Sequence, residues 1–335
     1  MSSQGTQWKE RPEGGGWFAI WLIRTIGRHG GRAVARLLLY PITLYFLLRR
    51  GPERRASLAW LSVATGRRAS WLGVARHIHC FASTILDRVF LLSGESDRFA
   101  IRTSGVETLH RHLDAGHGVL LFGSHLGSFE VLRALARERP QSRLRVVLDQ
   151  GHNPAMTQLL DALNPEIAAN VIDAGQPGPA LMLQIHDAIA AGEMVALLVD
   201  RVQPGEPGLL VPFFGRPAPF PLAPWQLATV LGAPVVLAFG LYRGGNRYDL
   251  VFESFSEGEQ VPRPRRKARI AALIAGYAAR LEHHARSAPY NWFNFYDYWP
   301  DNADATRHHA TDGAVAGDDA AAGGVLRRRA PARRA

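Results

Sequence analysis

The chain has 335 residues, 47% of them hydrophobic, and a formal net charge of +10. That length suits one large α/β domain or two small ones, and the apolar share is enough to build a packed core. The single cysteine, Cys80, excludes an intramolecular disulfide and fits a reducing compartment. The segment from Asp301 onward carries five Asp and six Arg, so the positive excess belongs to the body of the chain. Such a body favours acidic partners: anionic lipid headgroups, an acidic carrier protein or nucleic acid.

Residues 1–16 alternate polar, acidic and basic side chains without an apolar stretch. No cleavable secretory signal is expected there, and the segment reads as disordered. Two apolar segments follow, Trp17–Ile23 and Leu37–Leu48, the second closed by Arg49-Arg50. A straight transmembrane helix needs roughly 20 apolar residues. The spacing therefore predicts a membrane-associated hairpin or anchor over 17–50, interfacial or shallowly inserted. Its arginines would reach headgroups and its Trp and Tyr would sit at the boundary. A buried core helix, or a single span with Arg36 snorkelling, is the alternative.

Residues 51–100 read as helices, with apolar residues at mixed three and four spacing over Ala56–Leu61 and Ala75–Leu92. From about residue 100 the pattern alternates. Helices are expected over Val106–Leu113, Leu126–Arg137, Asn153–Leu163, Pro179–Ala191, Leu222–Leu231 and Arg266–Arg286. Strands are expected over Gly118–Phe122, Leu144–Leu148, Val195–Val199, Pro234–Leu241 and Tyr248–Phe252. This predicts an α/β fold with a single mixed β-sheet flanked by helices, preceded by N-terminal membrane-associated helices. The tail over 303–335, of Ala, Gly, Asp and Arg with almost no bulky apolar residue, is expected to be disordered, which leaves 51–302 as the folded α/β domain.

The segment Val119-Leu-Leu-Phe-Gly-Ser-His125-Leu-Gly-Ser-Phe-Glu130 is the most informative. An apolar strand runs into a turn that holds His125. Reactive groups in open α/β sheets collect at the carboxyl ends of strands, and an imidazole there titrates in the range needed for proton transfer. Glu130 lies five residues on. Five residues of helix turn through about 500°, so the two would not share a face. They can couple only if His125 stands before the helix and folds back over its first turn. The serine nucleophile elbow needs Gly-x-Ser-x-Gly. Here His125 occupies the serine's place, and Ser128 fits a helix cap better than a nucleophile. His77-Ile-His79-Cys80 has no partner cluster for a metal site, so no metal and no cofactor is expected. The basic residues are scattered rather than interleaved with aromatics, which argues against nucleic acid.

Leu-Phe-Gly-Ser-His-Leu-Gly-Ser-Phe-Glu resembles the His-x4-Asp/Glu block of the glycerolipid acyltransferase superfamily. The chain is most similar to its bacterial lipid A late acyltransferase (lauroyl/myristoyl transferase) branch. Gly192–Asp200 resembles that branch's Gly-Glu, apolar strand, Asp block. Leu210–Gly215 resembles its Phe-Val-Pro-Phe-Phe-Gly segment, Leu231–Val236 the small-residue start of the following strand, and Pro289–Trp292 its C-terminal Pro, Tyr, Trp stretch. Two departures stand out. The branch usually has Asp-Gln where this chain has Asp200-Arg201. It usually has a His-Arg-Arg-Phe run after Trp, where this chain has Phe293–Trp299. Similar aromatic endings occur in relatives grouped with aryl polyene or polyketide pigment biosynthesis.

The resemblance implies acyl transfer from a thioester, on acyl carrier protein or coenzyme A, to a hydroxyl of a membrane (glyco)lipid. It implies a location on the cytoplasmic face of the inner membrane, peripheral or single-pass, against an anionic surface. His125 would be the general base and Glu130 its orienter. Amides near Gly127, Arg201 and Arg145 would serve the oxyanion or the substrate. Asp200 would be a site residue at a strand end, and Phe213, Phe214 and Gly215 would line an acyl channel. The aromatic run from Tyr290 to Trp299 would form a membrane belt, a pocket for an aromatic acyl chain, or core closure. The competing readings are a lysophospholipid acyltransferase and a non-catalytic membrane-bound accessory protein of a lipid or polyketide pathway.

Overall fold

The computed structural model describes residues 17–132, 143–151, 154–164, 168–203 and 205–299. The expectations for 1–16, for 303–335 and for Asn153 fall outside these residues. Helix α1 (Trp17–Arg49) is broken at Gly31, whose φ of 72° and ψ of 169° interrupt the helical backbone. It is followed by α2 (Gly51–Thr65) and α3 (Trp71–Leu92), the latter capped by Ser70 Oγ accepting from the Gly73 amide at 3.1 Å. The stretch Gly31–Arg49 is long and apolar enough to cross a membrane. It does not stand alone, however. Ala35, Leu39 and Thr43, spaced four apart, are buried, while Leu37, Leu38, Tyr40, Leu44, Tyr45 and Leu48 are exposed. Arg32 pins this arm to α3 through a two-pronged ion pair with the fully buried Asp87, at 2.7 and 2.8 Å.

The remaining elements alternate as the apolar runs require. They are β1 (Ala100–Ser104), α4 (Val106–Asp114), β2 (Val119–Gly123), β3 (Leu144–Leu148), α5 (Pro154–Leu163), β4 (Val171–Asp173), α6 (Gly178–Ala190) and β5 (Met194–Leu198). A hairpin of β6 (Gly208–Phe213) and β7 (Arg216–Pro221) then precedes α7 (Ala223–Leu231), β8 (Val235–Tyr242), β9 (Arg247–Ser256) and α8 (Arg263–Ser287). The seven-stranded sheet runs β1-β9-β8-β2-β5-β3-β4, all neighbours parallel except β8 and β9. The mixed α/β sheet is the fold expected from the sequence.

β2 and β8 lie mid-sheet, and every residue of both is buried. That is why they read as unbroken apolar runs. Alternate residues serve opposite faces. Leu120 and Phe122 join a core with Trp60, Trp225, Ile274 and Tyr277; Val119 and Leu121 join one with Leu86, Phe90 and Leu109. Helices α2, α6, α7 and α8 thus contribute to the first core, α4 to the second, and α3 to both.

Four strands escaped the sequence reading: β1, β4 and the two of the β6–β7 hairpin. The hairpin carries Pro212, Pro217, Pro219 and Pro221, which argue against a strand inside a sheet but are tolerated in a two-stranded ribbon with two free edges. The expected helix over 126–137 does not begin where the periodicity placed it. Leu126 and Gly127 make single bridges to Trp292 and Gly240, and a 3₁₀ turn spans Phe129–Leu132. Residues 133–137 fall outside the description. Gly127, at φ 80°, breaks the helical path, and a Cβ there would lie 2.0 Å from the Gly240 carbonyl oxygen.

Candidate active site

β2 delivers Gly123 to the carboxyl edge of the sheet, and the next residues form a tight turn fixed on three sides. The Gly127 amide donates to the Asn291 carbonyl and the Ser128 amide to the Gly240 carbonyl, both at 2.8 Å; the His125 carbonyl accepts from the Phe293 amide at 3.0 Å. His125 therefore stands off any helix, which is the geometry that proton transfer at a strand end requires.

Its partner is not Glu130. His125 Nδ1 lies 2.8 Å from Asp200 Oδ1, and the His125 amide donates to Asp200 Oδ2 at 3.1 Å. Asp200 leaves β5 two residues after the strand ends, beside β2 in parallel register, so two neighbouring strand ends bring the pair together across 75 positions of sequence. Asp200 is fully buried. Its Oδ2 also accepts from Trp292 Nε1 at 3.1 Å, and its carbonyl from the Tyr298 hydroxyl at 2.9 Å. Burial works to raise its pKa, but the charges of His125 and Arg201 and the bonds from His125 and Trp292 outweigh that. The carboxyl stays ionised, below the usual range.

The imidazole side chain of His125 is 35% exposed. Its Nε2 has no hydrogen-bond partner among the described residues, so with Nδ1–H donated to Asp200 the outward nitrogen carries the lone pair. Desolvation lowers the His125 pKa, with the positive fields of Arg201 and Arg88 adding to it and Asp200 opposing. The ring is thus neutral at neutral pH, as a base must be.

Glu130 is engaged elsewhere. Ser128 Oγ donates to its Oε2 at 2.9 Å, and Arg88 Nε on α3 lies 2.5 Å from its Oε1. The coupling expected between His125 and Glu130 is thus replaced by two linked pairs, His125–Asp200 and Glu130–Arg88, with the Arg88 charge felt at His125. Arg88 gave no signal in the sequence, being one of two arginines on a long helix far along the chain from Glu130.

The other expected residues separate clearly. Arg201 closes on the site: its Nη2 donates to the Phe293 carbonyl at 2.7 Å, its guanidinium lies over the Tyr296 ring, and its buried Nε has no partner among the described residues. Arg145 pairs with Glu193 at the opposite end of the sheet, beside Val195. Five residues of strand separate that level from Asp200, roughly 16 Å, so Arg145 is not part of this site. The Gly127 and Ser128 amides are already bonded and cannot serve as oxyanion donors. Phe213 is fully buried among Phe220, Trp292 and Tyr298. Phe214 packs edge-on to Trp60, and with Gly215 forms the left-handed turn of the hairpin. These side chains back the Trp292–Asp200 contact. The aromatic run closes the core in the same way: Trp292, Phe293 and Tyr298 are buried, and two of them donate to Asp200.

His77, His79 and Cys80 point to separate neighbours: Ser57 and the Trp292 carbonyl, Thr43 and Tyr40, and Asn291. No group of three metal-ligating side chains occurs among the described residues.

No curated protein matches the chain. The family model for bacterial lipid A biosynthesis acyltransferases matches residues 79–299, about two thirds of the sequence, from the middle of α3 through β2, β5 and the aromatic run that encloses Asp200. With His125 at its strand end inside that span, the chain belongs to the bacterial lipid A biosynthesis acyltransferase family and is an acyltransferase.

Proposed function

We propose that the protein transfers an acyl chain from a thioester to a hydroxyl of a membrane (glyco)lipid, with His125 as general base oriented by Asp200. The observation that carries this reading is His125 itself: one nitrogen held by a buried carboxylate, the other exposed and unbonded. Nε2 accepts the proton of the acceptor hydroxyl as its oxygen attacks the thioester carbonyl. The carbonyl oxygen takes up negative charge in the tetrahedral intermediate. When the carbon–sulfur bond breaks, the imidazolium returns the proton to the departing thiolate. Asp200 stabilises the imidazolium in between.

The oxyanion needs donors in a dry site. Arg201 Nε, buried with no partner among the described residues, and the Arg88 guanidinium supply that role. Glu130 then acts through Arg88, holding its charge beside His125, rather than through the imidazole. The net charge of +10 favours an anionic thioester donor, a description that fits an acidic acyl carrier protein and coenzyme A alike. The exposed apolar arm of α1 fits attachment to the cytoplasmic face of the inner membrane.

The test is to supply the full-length chain in lipid vesicles with acyl carrier protein and coenzyme A thioesters in turn, following thiol release with and without a glycolipid acceptor. Acceptor-dependent thiol release from either thioester supports the reading. Release that ignores the acceptor would make the protein a thioesterase, and none from either donor would support the accessory-protein alternative.

A further inference from the structure

A cavity of about 640 Å³ lies between α1, the Arg98 turn and the β8–β9 turn, and neither His125 nor Asp200 lines it. Its wall includes Arg32, Arg36 and Tyr40 of α1, His79 of α3, and Arg98 and Gly245. The acyl-transfer mechanism uses none of these residues. We propose that this cavity binds the anionic phosphate headgroup of a membrane phospholipid, with Arg36 as the recognising group.

The charges are unequally matched. Arg32 is neutralised by Asp87, and Arg98 pairs with Glu95. Arg36 has no carboxylate partner among the described residues. Instead its Nη1 donates to the Tyr242 hydroxyl and the Gly245 carbonyl, both at 3.0 Å. One arm of the guanidinium is thereby anchored, while Nε and Nη2 make no hydrogen bond to the described residues. An arginine fork held in this way has already lost most of the side-chain freedom that binding a phosphate would otherwise cost. Arg32 donates to the same Gly245 carbonyl, so the β8–β9 turn draws two guanidinium groups to one end of the cavity.

The surroundings identify the phosphate as that of a lipid. Leu37 and Tyr40 on the cavity wall are 66% and 65% exposed, and the apolar surface continues up α1 through Leu44, Tyr45 and Leu48. A free anion has no use for that surface. A phospholipid can place its phosphate at Arg36 and its chains along α1. Arg32 also ties this arm to the body through Asp87, so the occupied cavity would set how the protein sits on the bilayer.

The experiment is flotation of the full-length chain with vesicles of phosphatidylcholine alone or mixed with phosphatidylglycerol. The wild type is compared with Arg36→Gln, Arg36→Lys and the charge-matched Arg68→Gln on the exposed α2–α3 loop. Each variant is checked by far-UV circular dichroism. The expected result is that Arg36→Gln loses clearly more of the preference for anionic vesicles than the about fivefold that one diffuse surface charge contributes. Arg36→Lys loses most of the same preference because it keeps the charge but not the fork, and Arg68→Gln loses little. Equal losses in Arg36→Gln and Arg68→Gln, or full retention in Arg36→Lys, would overturn the proposal in favour of diffuse surface attraction. Inorganic phosphate at millimolar concentration that abolishes the anionic preference at constant ionic strength would overturn the lipid assignment in favour of a free-anion site. Because thiol release by His125 is measured separately, loss of lipid preference and failure of the acyl-transfer reading are distinguishable.

Discussion

Asp200→Asn removes one charge and leaves the shape of the site almost unchanged. In the native protein Asp200 accepts from His125 Nδ1, the His125 amide and Trp292 Nε1 while fully buried. The imidazolium that forms during transfer faces that carboxylate. Opposite unit charges about 4 Å apart attract by about 4 kcal/mol at an effective dielectric near 20, which corresponds to about a thousandfold in rate. An asparagine that presents its amide nitrogen to His125 would also favour the wrong tautomer. The expected loss in kcat/KM is therefore about 10³-fold, with KM for the donor little changed. The pH profile supplies a second readout. The neutral imidazole is the active form, so the rate rises with pH through the His125 pKa. Burial and two arginines place that midpoint below the ordinary 6.5. Asp200 is the group that opposes them, so Asp200→Asn moves the midpoint still lower. The assay is initial rate of acyl transfer against pH, with circular dichroism to confirm folding. A folded Asp200→Asn variant with wild-type rate and midpoint would refute the assignment of Asp200 as orienter.

Glu130→Gln is expected to cost less than Asp200→Asn, and Arg88→Ala, which removes the guanidinium itself, at least as much as Glu130→Gln. The double variant should be no worse than Arg88→Ala alone, because one residue acts through the other; additive losses in a double-mutant cycle would contradict this coupling. Gly127→Ala should destabilise the fold by about 3 kcal/mol or more, since a Cβ at that positive φ meets the Gly240 carbonyl, and a chemical denaturation midpoint equal to wild type would contradict it. His77 is buried between Ser57 and the Trp292 carbonyl, and burial lowers its pKa to about 4. The unfolded chain takes up that proton near 6.5 and the folded protein does not, so stability falls as pH drops from 6.5 towards 4, by up to about 3 kcal/mol. His77→Asn should flatten that slope in urea titrations at several pH values; an unchanged slope would assign the effect to other groups.

How much of this was legible in the sequence depends on the range of the interactions. The buried strands β2, β5 and β8 were clear because burial on both faces leaves continuous apolar runs. His125 and Asp200 were visible as polar residues where two of those runs end. Their pairing was not, because it depends on which strands lie side by side, and sequence distance offered Glu130 as the nearer carboxylate. The five-residue spacing carried a warning: on a helix the two could not meet. Gly127 resolved it by removing the helix. Arg88 was invisible, since only tertiary packing brings α3 across to Glu130. The aromatic run suggested a belt, a pocket or a core. Trp292 and Tyr298 decide for the core, because both spend their polar atoms on Asp200. Arg145 was placed by position in a family pattern, and the parallel register sets it at the wrong end of the sheet.

The most direct test of the central claim is the lipid product itself. Membranes carrying the full-length chain or its His125→Ala variant, supplied with acyl-thioester donor, are analysed by mass spectrometry for newly acylated lipid. Product is expected from the wild type and none above background from a His125→Ala variant that is present at wild-type level and folded. Undiminished product from that variant would contradict it.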